Sequence, residues 1–210
     1  FIIGPTAVGK SALALHLARA FKGEIVNADS RQVYRSMDIG TAKPSAEART
    51  SMPHHLMDIL DPNQEFSLAM FLDLAHKAIR DIHTMGRLPI VTGGTGQYAW
   101  ALAEGWRLPQ VPPNPQLRQQ LQLEAEMDGG EALYMRLHSV DPESASRIDP
   151  RNLRRVIRAL EVYHTSGAAP STLRSKGQPP YNPFFIGLTI DRAALYSRID
   201  NRVNEMLQQG

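Results

Sequence analysis

The chain has 210 residues, of which 42% are hydrophobic and 21% are charged, proportions that are ordinary for a globular protein with one sizeable core. It has no apolar run of about 18 residues, so no membrane span is predicted. It also has no cysteine, which excludes disulfides and thiolate metal sites and fits a reducing cytoplasm. The formal net charge of +2 is too small to indicate a nucleic-acid partner by itself.

The first predicted elements are a short strand and a helix. The strand ends at Ile3, and a helix over residues 10–21 places Leu13, Leu17 and Phe21 on one apolar face. The chain begins Phe-Ile-Ile without a methionine and stops directly after a predicted helix. We therefore expect both ends to be truncated.

Strands and helices continue to alternate along the first half of the chain. Residues 24–28 predict a second strand, residues 38–62 a long loop, residues 67–85 an amphipathic helix and residues 89–92 a third strand. Three strands that alternate with two helices are typical of a parallel α/β sheet. The sequence therefore predicts an α/β fold with helices flanking a parallel sheet.

The composition changes at Pro109. Four prolines fall within residues 109–115, and only helical patterns follow, beginning with a helix over 116–127. A strand over 184–190 and a final helix from Asp191 then return to the α/β pattern. We predict a P-loop NTPase-like core over 1–108 and 181–210, and a helical insertion subdomain over 109–180.

The turn after the first strand, GPTAVGKS, matches the phosphate-loop pattern G-x-x-x-x-G-K-[ST] at every fixed position. Its backbone N–H groups can surround phosphate oxygens, its lysine adds a positive charge, and its serine hydroxyl can bind Mg²⁺. The helix that follows directs its positive dipole end toward the same anion. The predicted phosphate-binding residues are Gly4, Pro5, Thr6, Ala7, Val8, Gly9, Lys10 and Ser11.

Such a loop most often holds ATP or GTP, so a nucleotide-binding kinase or NTPase is the first interpretation. Asp29 follows the second strand and should lie at the same sheet edge as the phosphate loop, where it could act as a base or could only begin a turn. No apolar strand ends in a Walker B acid. The third strand instead leads into residues 93–96, GGTG, whose N–H groups and Thr95 hydroxyl suit an anion rather than a metal.

Four arginines recur at helical spacing in the insertion. Arg151, Arg154, Arg155 and Arg158 fall within an arc of about 100°, opposite an apolar face. A solvated charged face would explain them, but a stripe of one sign favours binding to a polyanion such as RNA or a diphosphate.

Two other groups of residues carry less chemistry. The adjacent residues 54–55, both histidine, point in different directions and are interpreted as loop residues rather than metal ligands. Four aromatic residues are interpreted as packing residues rather than base-stacking platforms. They are Tyr98, Trp100, Trp106 and Tyr163.

Six segments together resemble the tRNA dimethylallyltransferase (tRNA isopentenyladenosine-37 synthase) family, in order over nearly the whole chain. The second segment is highly specific, and a generic kinase would not contain it. The segments are GPTAVGKS (4–11), NADSRQVYRSMDIGTAKP (27–44), PHHLMDILDP (53–62), VTGGTGQYAWAL (91–102), RNLRRVIRALEVY (151–163) and DRAALYSRIDNRVNEML (191–207).

The resemblance implies prenyl transfer rather than phosphoryl transfer. The family's phosphate loop holds dimethylallyl diphosphate, and the dimethylallyl group moves to N6 of adenosine 37 in tRNAs that read codons beginning with U. Asp29 matches the family's base, which accepts a proton from the poorly nucleophilic aryl amine. Lys10, Thr95 and Mg²⁺ held by Ser11 would stabilise the departing diphosphate, and Arg158 matches a diphosphate contact.

The resemblance also implies a tRNA surface. Ser30, Arg31 and Gln32 would lie against the flipped adenine and its neighbours, together with Asp29 and Thr95. Further tRNA-binding positions match Arg118, Arg154, Arg155 and Arg158. Family members continue well beyond the equivalent of Gly210, with helices that close on the anticodon arm, so this chain could bind tRNA weakly or fail to turn over.

Three alternatives stay open. An adenylate isopentenyltransferase shares the loop and the base but lacks a developed RNA-binding insertion. A small-molecule kinase would use ATP, and a catalytically silent RNA-binding remnant would fit a truncated chain. The interpretation adopted is a cytoplasmic, monomeric tRNA dimethylallyltransferase with Mg²⁺ as cofactor and no membrane partner.

Overall fold

The computed structural model describes residues 1–109 and 111–209. The chain forms two compact units: unit 1 comprises Phe1–Gly105 and Gln178–Gly210, and unit 2 comprises Trp106–Gly177. Each end of unit 2 lies three residues before the boundary expected from the sequence, which was 109–180. Residue 110 of the expected insertion lies outside the described residues.

Unit 1 is an α/β unit in which helices flank one sheet. Its strands are β1 (Ile2–Ile3), β2 (Gly23–Asn27), β3 (His54–His55), β4 (Leu88–Thr92) and β7 (Ile186–Gly187). Its helices are α1 (Lys10–Ala20), α2 (Ala46–Ser51), α3 (Leu68–Thr84), α4 (Gly96–Ala103) and α10 (Arg192–Gln209).

The sheet of unit 1 is parallel, in the order β3-β2-β4-β1-β7 within the described residues. This confirms the predicted fold class. The prediction that residues 54–55 are loop residues was wrong, because they form the edge strand β3 and pair with Ile25 and Val26. The last strand is shorter than the predicted 184–190, since only Ile186 and Gly187 pair with β1.

The two central helices of unit 1 pack through different side chains. In α3, Phe71 and Ile82 are completely buried, and Ser67 caps the helix by accepting a hydrogen bond from the Met70 N–H, 3.2 Å away. In α1 the small residues Ala14 and Ala18 face the core. Close packing against β2 therefore uses alanines.

One sequence prediction about α1 fails as a result. Phe21, expected on the apolar face, is 62% exposed, because it lies just beyond the last helical residue. Leu13 and Leu17 are only partly buried and pack at the margin of the core that Ala14 and Ala18 form. The four-residue leucine spacing thus indicated the helix but not the residues at its closest contact.

Unit 2 is helical, apart from one antiparallel strand pair that the sequence did not indicate. It contains β5 (Trp106–Arg107), α5 (Pro115–Asp128), α6 (Gly130–Val140), α7 (Pro142–Ser146), α8 (Leu153–Ser166), α9 (Pro170–Leu173) and β6 (Ser175–Lys176). Leu121, Leu137 and Leu160 are completely buried at the centre of its own core.

The start of α5 follows its sequence signal. The Asn114 side chain accepts a hydrogen bond from the Leu117 N–H at 3.0 Å, and Pro115 occupies the first helical position. In the part of the chain that the structure describes, no helix is long and apolar enough to cross a membrane.

Candidate active site

Three neighbouring strands end at one edge of the unit 1 sheet. Thr92 of β4 pairs with Ile2 of β1 on one side and with Asn27 of β2 on the other. Since the strands are parallel, the loops that follow them emerge together. The phosphate loop, Asp29 and residues 93–95 therefore share this edge, as the sequence led us to expect.

The phosphate loop depends on backbone conformations that suit glycine. Gly4 has a φ of +148°, and a Cβ atom there would lie 2.6 Å from the Leu188 carbonyl oxygen. Gly9 has a φ of +107° and immediately precedes α1. The loop can thus curl tightly and deliver the N-terminus of α1, with its unsatisfied N–H groups, to an anion.

Lys10 reaches back across this loop. Its Nζ donates hydrogen bonds to the carbonyl oxygens of Gly4 at 2.9 Å and of Pro5 at 2.8 Å. Burial lowers the pKa of Lys10, and so does the positive charge of Arg202, whereas the charge of Asp29 opposes the shift. The lysine therefore interacts electrostatically with both a second cation and the candidate base.

Two arginines of α10 lie against the phosphate loop. Arg198 Nη1 approaches the Val8 carbonyl oxygen at 3.4 Å, and Arg202 Nη1 approaches Thr6 Oγ1 at 3.5 Å. Neither arginine was predicted from the sequence to be part of the site. Their spacing of four on one helix could have indicated a shared face, but nothing in the sequence showed that this face meets the loop.

The Asp29 carboxylate is oriented by backbone donors. Its Oδ1 accepts hydrogen bonds from the N–H groups of Arg31 at 2.8 Å and Gln32 at 3.3 Å, and its Oδ2 accepts one from Gly94 N–H at 3.1 Å. The glycine-rich loop after β4, predicted to bind an anion, thus donates to Asp29 itself. All three donors are neutral backbone N–H groups, so no positively charged side chain is needed to orient the carboxylate.

Two glycines allow this close approach of the loops. A Cβ atom on Gly93 would lie 2.2 Å from the carbonyl carbon of Ala28, and one on Gly94 would lie 2.5 Å from Asp29 Oδ2. Neither position has room for a side chain. Glycine is therefore required at position 93 by the Ala28 backbone and at position 94 by the Asp29 carboxylate.

Thr95 joins the same two loops. Its Oγ1 accepts a hydrogen bond from Ser30 N–H at 2.9 Å and forms one with Ser30 Oγ at 3.1 Å, and its own N–H donates to the Ala28 carbonyl at 3.0 Å. The hydroxyl groups of Thr95 and Ser30 thus bond to each other, and either oxygen can be the donor. The predicted role of Thr95 toward diphosphate stays a prediction.

Next to Asp29, Arg31 is exposed and Gln32 is half-buried. Gln32 Nε2 donates to the carbonyl oxygens of Thr41 at 2.9 Å and Ala42 at 3.2 Å. Both amide hydrogens thus face the protein, which leaves the side-chain oxygen as the group available to a ligand.

A cavity of 760 Å³ opens beside the phosphate loop in unit 1. It is lined by residues of the loop, of segment 38–49 and of α10, among them Lys10, Ser11, Arg198 and Arg202. Among the described residues, Asp29 and Thr95 do not line it. The cavity therefore adjoins the end of the phosphate loop that contains Lys10 and Ser11.

The predicted arginine stripe is only partly helical. Arg151 precedes the helix, which begins at Leu153, and pairs with Asp149 at 2.8 Å, so its assignment to the stripe was wrong. Arg154 and Arg155 are exposed and form no ion pair within residues 1–109 and 111–209. Arg158 is bound instead to Glu161 and the Val111 carbonyl oxygen.

The aromatic residues fulfil the packing prediction unevenly. Tyr98 is buried and stacks on Phe71 with ring centroids 4.4 Å apart. Trp100, in contrast, is 51% exposed although it contacts Phe185 at 6.0 Å between centroids. In the described part of the chain, no group of three or more His, Asp or Glu residues could hold a metal ion.

Comparison with known proteins gives a consistent family. The IPP transferase family model matches residues 32–210. A tRNA dimethylallyltransferase of Roseiflexus castenholzii is 56% identical, with 100% of this chain and 68% of that protein covered. One of Thermomicrobium roseum is 54% identical, with 100% and 64% covered.

Two solved structures are also similar. The full-length tRNA isopentenylpyrophosphate transferase of Bacillus halodurans is 44% identical, with a TM-score of 0.64, and 100% of this chain and 65% of that one are covered. A eukaryotic dimethylallyltransferase acting on tRNA is 33% identical, with a TM-score of 0.80, and 100% and 52% are covered. The chain thus spans about two thirds of the length of the curated relatives and half to two thirds of these solved chains.

Proposed function

The chain belongs to the IPP transferase family, and we propose that it transfers a dimethylallyl group from dimethylallyl diphosphate to N6 of adenosine 37 in tRNAs that read UNN codons. The observation that carries the proposal is the Asp29 carboxylate, oriented by Gly94 N–H at the sheet edge that also carries the phosphate loop. A base beside an anion site suits a reaction in which a proton and a diphosphate leave different reactants.

The proposed reaction balances with these two groups. The N6 lone pair forms a C–N bond to the first carbon of the dimethylallyl group as the C–O bond to diphosphate breaks. The bonding electrons leave with diphosphate, near Lys10, Arg198 and Arg202, whose charges stabilise it. The proton on N6 passes to Asp29, which raises the reactivity of an amine whose lone pair is delocalised.

The residues of the loop fit the proposed Mg²⁺. Ser11 lies in the first turn of α1, has an exposed side chain and lines the cavity beside Lys10. Mg²⁺ prefers oxygen ligands and usually combines one or two protein groups with substrate phosphate oxygens and water. When bound, Mg²⁺ would supply further charge stabilisation to the leaving diphosphate.

The proposal extends to the tRNA contacts. Ser30, Arg31 and Gln32 adjoin Asp29 and would meet the acceptor base, and Gln32 would offer its side-chain oxygen. In unit 2, Arg118, Arg154, Arg155 and Arg158 would contact tRNA. The absence of cysteine fits action in the cytoplasm, where we propose that the protein works as a monomer.

An acceptor assay tests the proposed function. The full-length protein is incubated with labelled dimethylallyl diphosphate, Mg²⁺ and either unmodified tRNA or AMP, and, in a separate reaction, with ATP and small alcohols. We expect label in tRNA. Label only in AMP would favour an adenylate isopentenyltransferase, ATP consumption without prenyl transfer a kinase, and tRNA binding without transfer a silent RNA-binding protein.

Replacement of the base tests its assignment. We expect Asp29→Ala to lower prenyl transfer at least about 100-fold, because no group then accepts the N6 proton, while diphosphate binding is largely kept. Single-turnover transfer and equilibrium binding measure the two effects. Asp61→Ala, which removes an exposed carboxylate of the same unit, is the control, and near-normal turnover by Asp29→Ala would show that another group is the base.

A further inference from the structure

A fully buried carboxylate lies at the centre of the polar contacts of unit 2. Glu161 of α8 is 0% exposed. Its Oε1 accepts hydrogen bonds from Arg118 Nε at 2.8 Å and from Asn114 N–H at 2.6 Å, and its Oε2 accepts one from Arg158 Nη1 at 2.5 Å. Burial alone would raise the pKa of Glu161, but these hydrogen bonds lower it, so the group is ionised at neutral pH.

A buried ion cluster of this kind needs a reason other than stability. Desolvating charges is costly, and apolar residues of similar volume often stabilise such a site equally well. What the cluster does provide is orientation, because Glu161 accepts one hydrogen bond from each of the two guanidinium groups. Arg158 is fixed further by donation from its Nη2 to the Val111 carbonyl at 2.8 Å.

Both arginines keep N–H donors that form no hydrogen bond within the described residues. The side chains of Arg118 and Arg158 are 36% and 39% exposed. A guanidinium has five N–H donors, and in the described residues Arg118 uses only the one on Nε. Both Nη atoms of Arg118 can therefore bind an oxyanion while Glu161 holds the group still.

We infer that Glu161 is a positioning residue, which fixes the guanidinium groups of Arg118 and Arg158 in the orientation that binds phosphate oxygens of the substrates. The inference rests on the proposed function, in which both arginines contact substrate anions. An arginine that is already immobilised loses less conformational entropy on binding than a free surface arginine does. Bidentate contact with phosphate also depends on the direction of the fork.

The direction in which Glu161→Gln changes tRNA affinity distinguishes a positioning role from a general electrostatic effect. Glu161→Gln removes a negative charge beside two arginines, so general attraction to a polyanion would tighten tRNA binding. If Glu161 is a positioning residue, loss of its carboxylate instead lets both guanidinium groups move and leaves Arg118 Nε and Arg158 Nη1 without a charged acceptor. Positioning therefore predicts weaker binding despite a more positive protein.

The experiment uses the full-length protein with unmodified tRNA. We expect Glu161→Gln to raise the tRNA dissociation constant and the KM for tRNA about fivefold to tenfold, the net effect of losing about one ordinary hydrogen bond, with a smaller change in kcat. The matched control is Glu124→Gln, which makes the same charge change in the partly exposed Glu124–Arg136 pair of the same unit. The control should bind tRNA as tightly as the wild type or more tightly.

A double-mutant cycle separates positioning from loss of structure. Glu161 also accepts from the N–H of the residue that caps α5, so Glu161→Gln could unfold unit 2, which thermal unfolding would reveal. In an Arg118→Gln background, positioning predicts a smaller effect of Glu161→Gln on tRNA binding, whereas a purely structural role predicts the same loss in both backgrounds. Glu161→Asp, which keeps the charge but retracts the carboxylate, should weaken binding in the same direction.

The outcomes are distinct. If Glu161→Gln binds tRNA as tightly as Glu124→Gln does, or if its effect is equal in both backgrounds, the positioning role is wrong while the proposed function stands. If the wild-type protein neither binds nor modifies tRNA, the proposed function fails and this inference falls with it.

Discussion

At the scale of single residues, the candidate site depends on how closely two loops approach. Asp29 receives three backbone N–H groups, from Arg31, Gln32 and Gly94. Each donor comes from the main chain, so the orientation of the carboxylate is built into the path of the loops rather than into other side chains. A base held in this way can meet an incoming amine without first searching among rotamers.

Gly94 offers a direct test of that arrangement. A methyl group there would lie 2.5 Å from Asp29 Oδ2, so Gly94→Ala must displace the carboxylate. We expect the rate of prenyl transfer to fall about 100-fold, since a misplacement of about 1 Å can cost that much. The single-turnover rate with saturating donor measures the effect.

Gly96→Ala is the matched control. Gly96 is the first residue of α4, and a Cβ atom there would have no neighbour within 4 Å. This variant should transfer at nearly the wild-type rate. Equal rates for Gly94→Ala and Gly96→Ala, with both proteins folded, would mean that the orientation of Asp29 is not needed.

At the scale of elements, one buried lysine organises the segment after β2. The Lys43 side chain is 1% exposed, and its Nζ donates to the Tyr34 carbonyl at 2.6 Å, to Asp38 at 3.0 Å and to Asp58 at 2.6 Å. The same segment supplies the carbonyl groups that hold Gln32. Lys43 thus fixes the wall of the cavity beside the phosphate loop.

Removal of this lysine should destabilise unit 1. Lys43→Met removes the cation of Asp38 and one of the two cations of Asp58, which keeps Arg49, and it leaves the Tyr34 carbonyl without this donor. We expect a loss of about 2 kcal/mol in the free energy of unfolding. Arg35→Met is the control, since Arg35 and Asp61 form an exposed pair, 52% and 59% exposed, whose loss should cost less than about 1 kcal/mol. Urea denaturation measures both, and similar losses for the two variants would contradict the role of Lys43.

The elements that the sequence predicted are those with strong local signals. The phosphate loop, α3 with its apolar period and the Asn114–Pro115 start of α5 all lie where expected. A two-residue strand is too short to show an alternation of apolar and polar residues. The strand β3 is therefore defined only by its pairing with Ile25 and Val26. The start of a helix at Leu153 rather than Arg151 likewise depends on a cap, Asn152, inside a regular arginine spacing.

The sequence predicted the kind of candidate site, a phosphate loop with a nearby carboxylate, better than it predicted which residues contact each other there. The spacing in residues 4–11 and the strand-end position of Asp29 were visible in the sequence. The approach of Arg198 and Arg202 to the loop joins residues almost 200 positions apart, in the pairs Val8–Arg198 (separation 190) and Thr6–Arg202 (separation 196). Such contacts are products of tertiary folding and leave no local trace.

At the scale of the whole molecule, each unit contains buried carboxylates that are ionised in the folded state. They are Glu24 in unit 1, and Asp141 and Glu161 in unit 2. Burial alone would raise the pKa of each, but the hydrogen bonds they accept lower it below its ordinary value. Both units should therefore respond to acid.

The direction of that response follows from linkage. A carboxyl group whose pKa is lowered by folding stabilises the protein above its unfolded pKa of about 4, and this stability is lost as the pH falls through the folded value. We expect the free energy of unfolding to decrease steadily from pH 5 to pH 3. Glu24→Gln should be less stable at pH 7 and show a shallower decrease, and a wild-type stability that stays constant or rises over this range would contradict the prediction.

The most direct test of the proposed activity maps the product. Full-length protein, dimethylallyl diphosphate, Mg²⁺ and an unmodified tRNA that reads a UNN codon are incubated, and the tRNA is digested with a nuclease and analysed by mass spectrometry. We expect one dimethylallyl group on the adenosine at position 37, one diphosphate released for each group transferred, and no product with Asp29→Asn. A dimethylallyl group at another position, or unmodified tRNA beside intact donor, would show that the proposed activity is wrong.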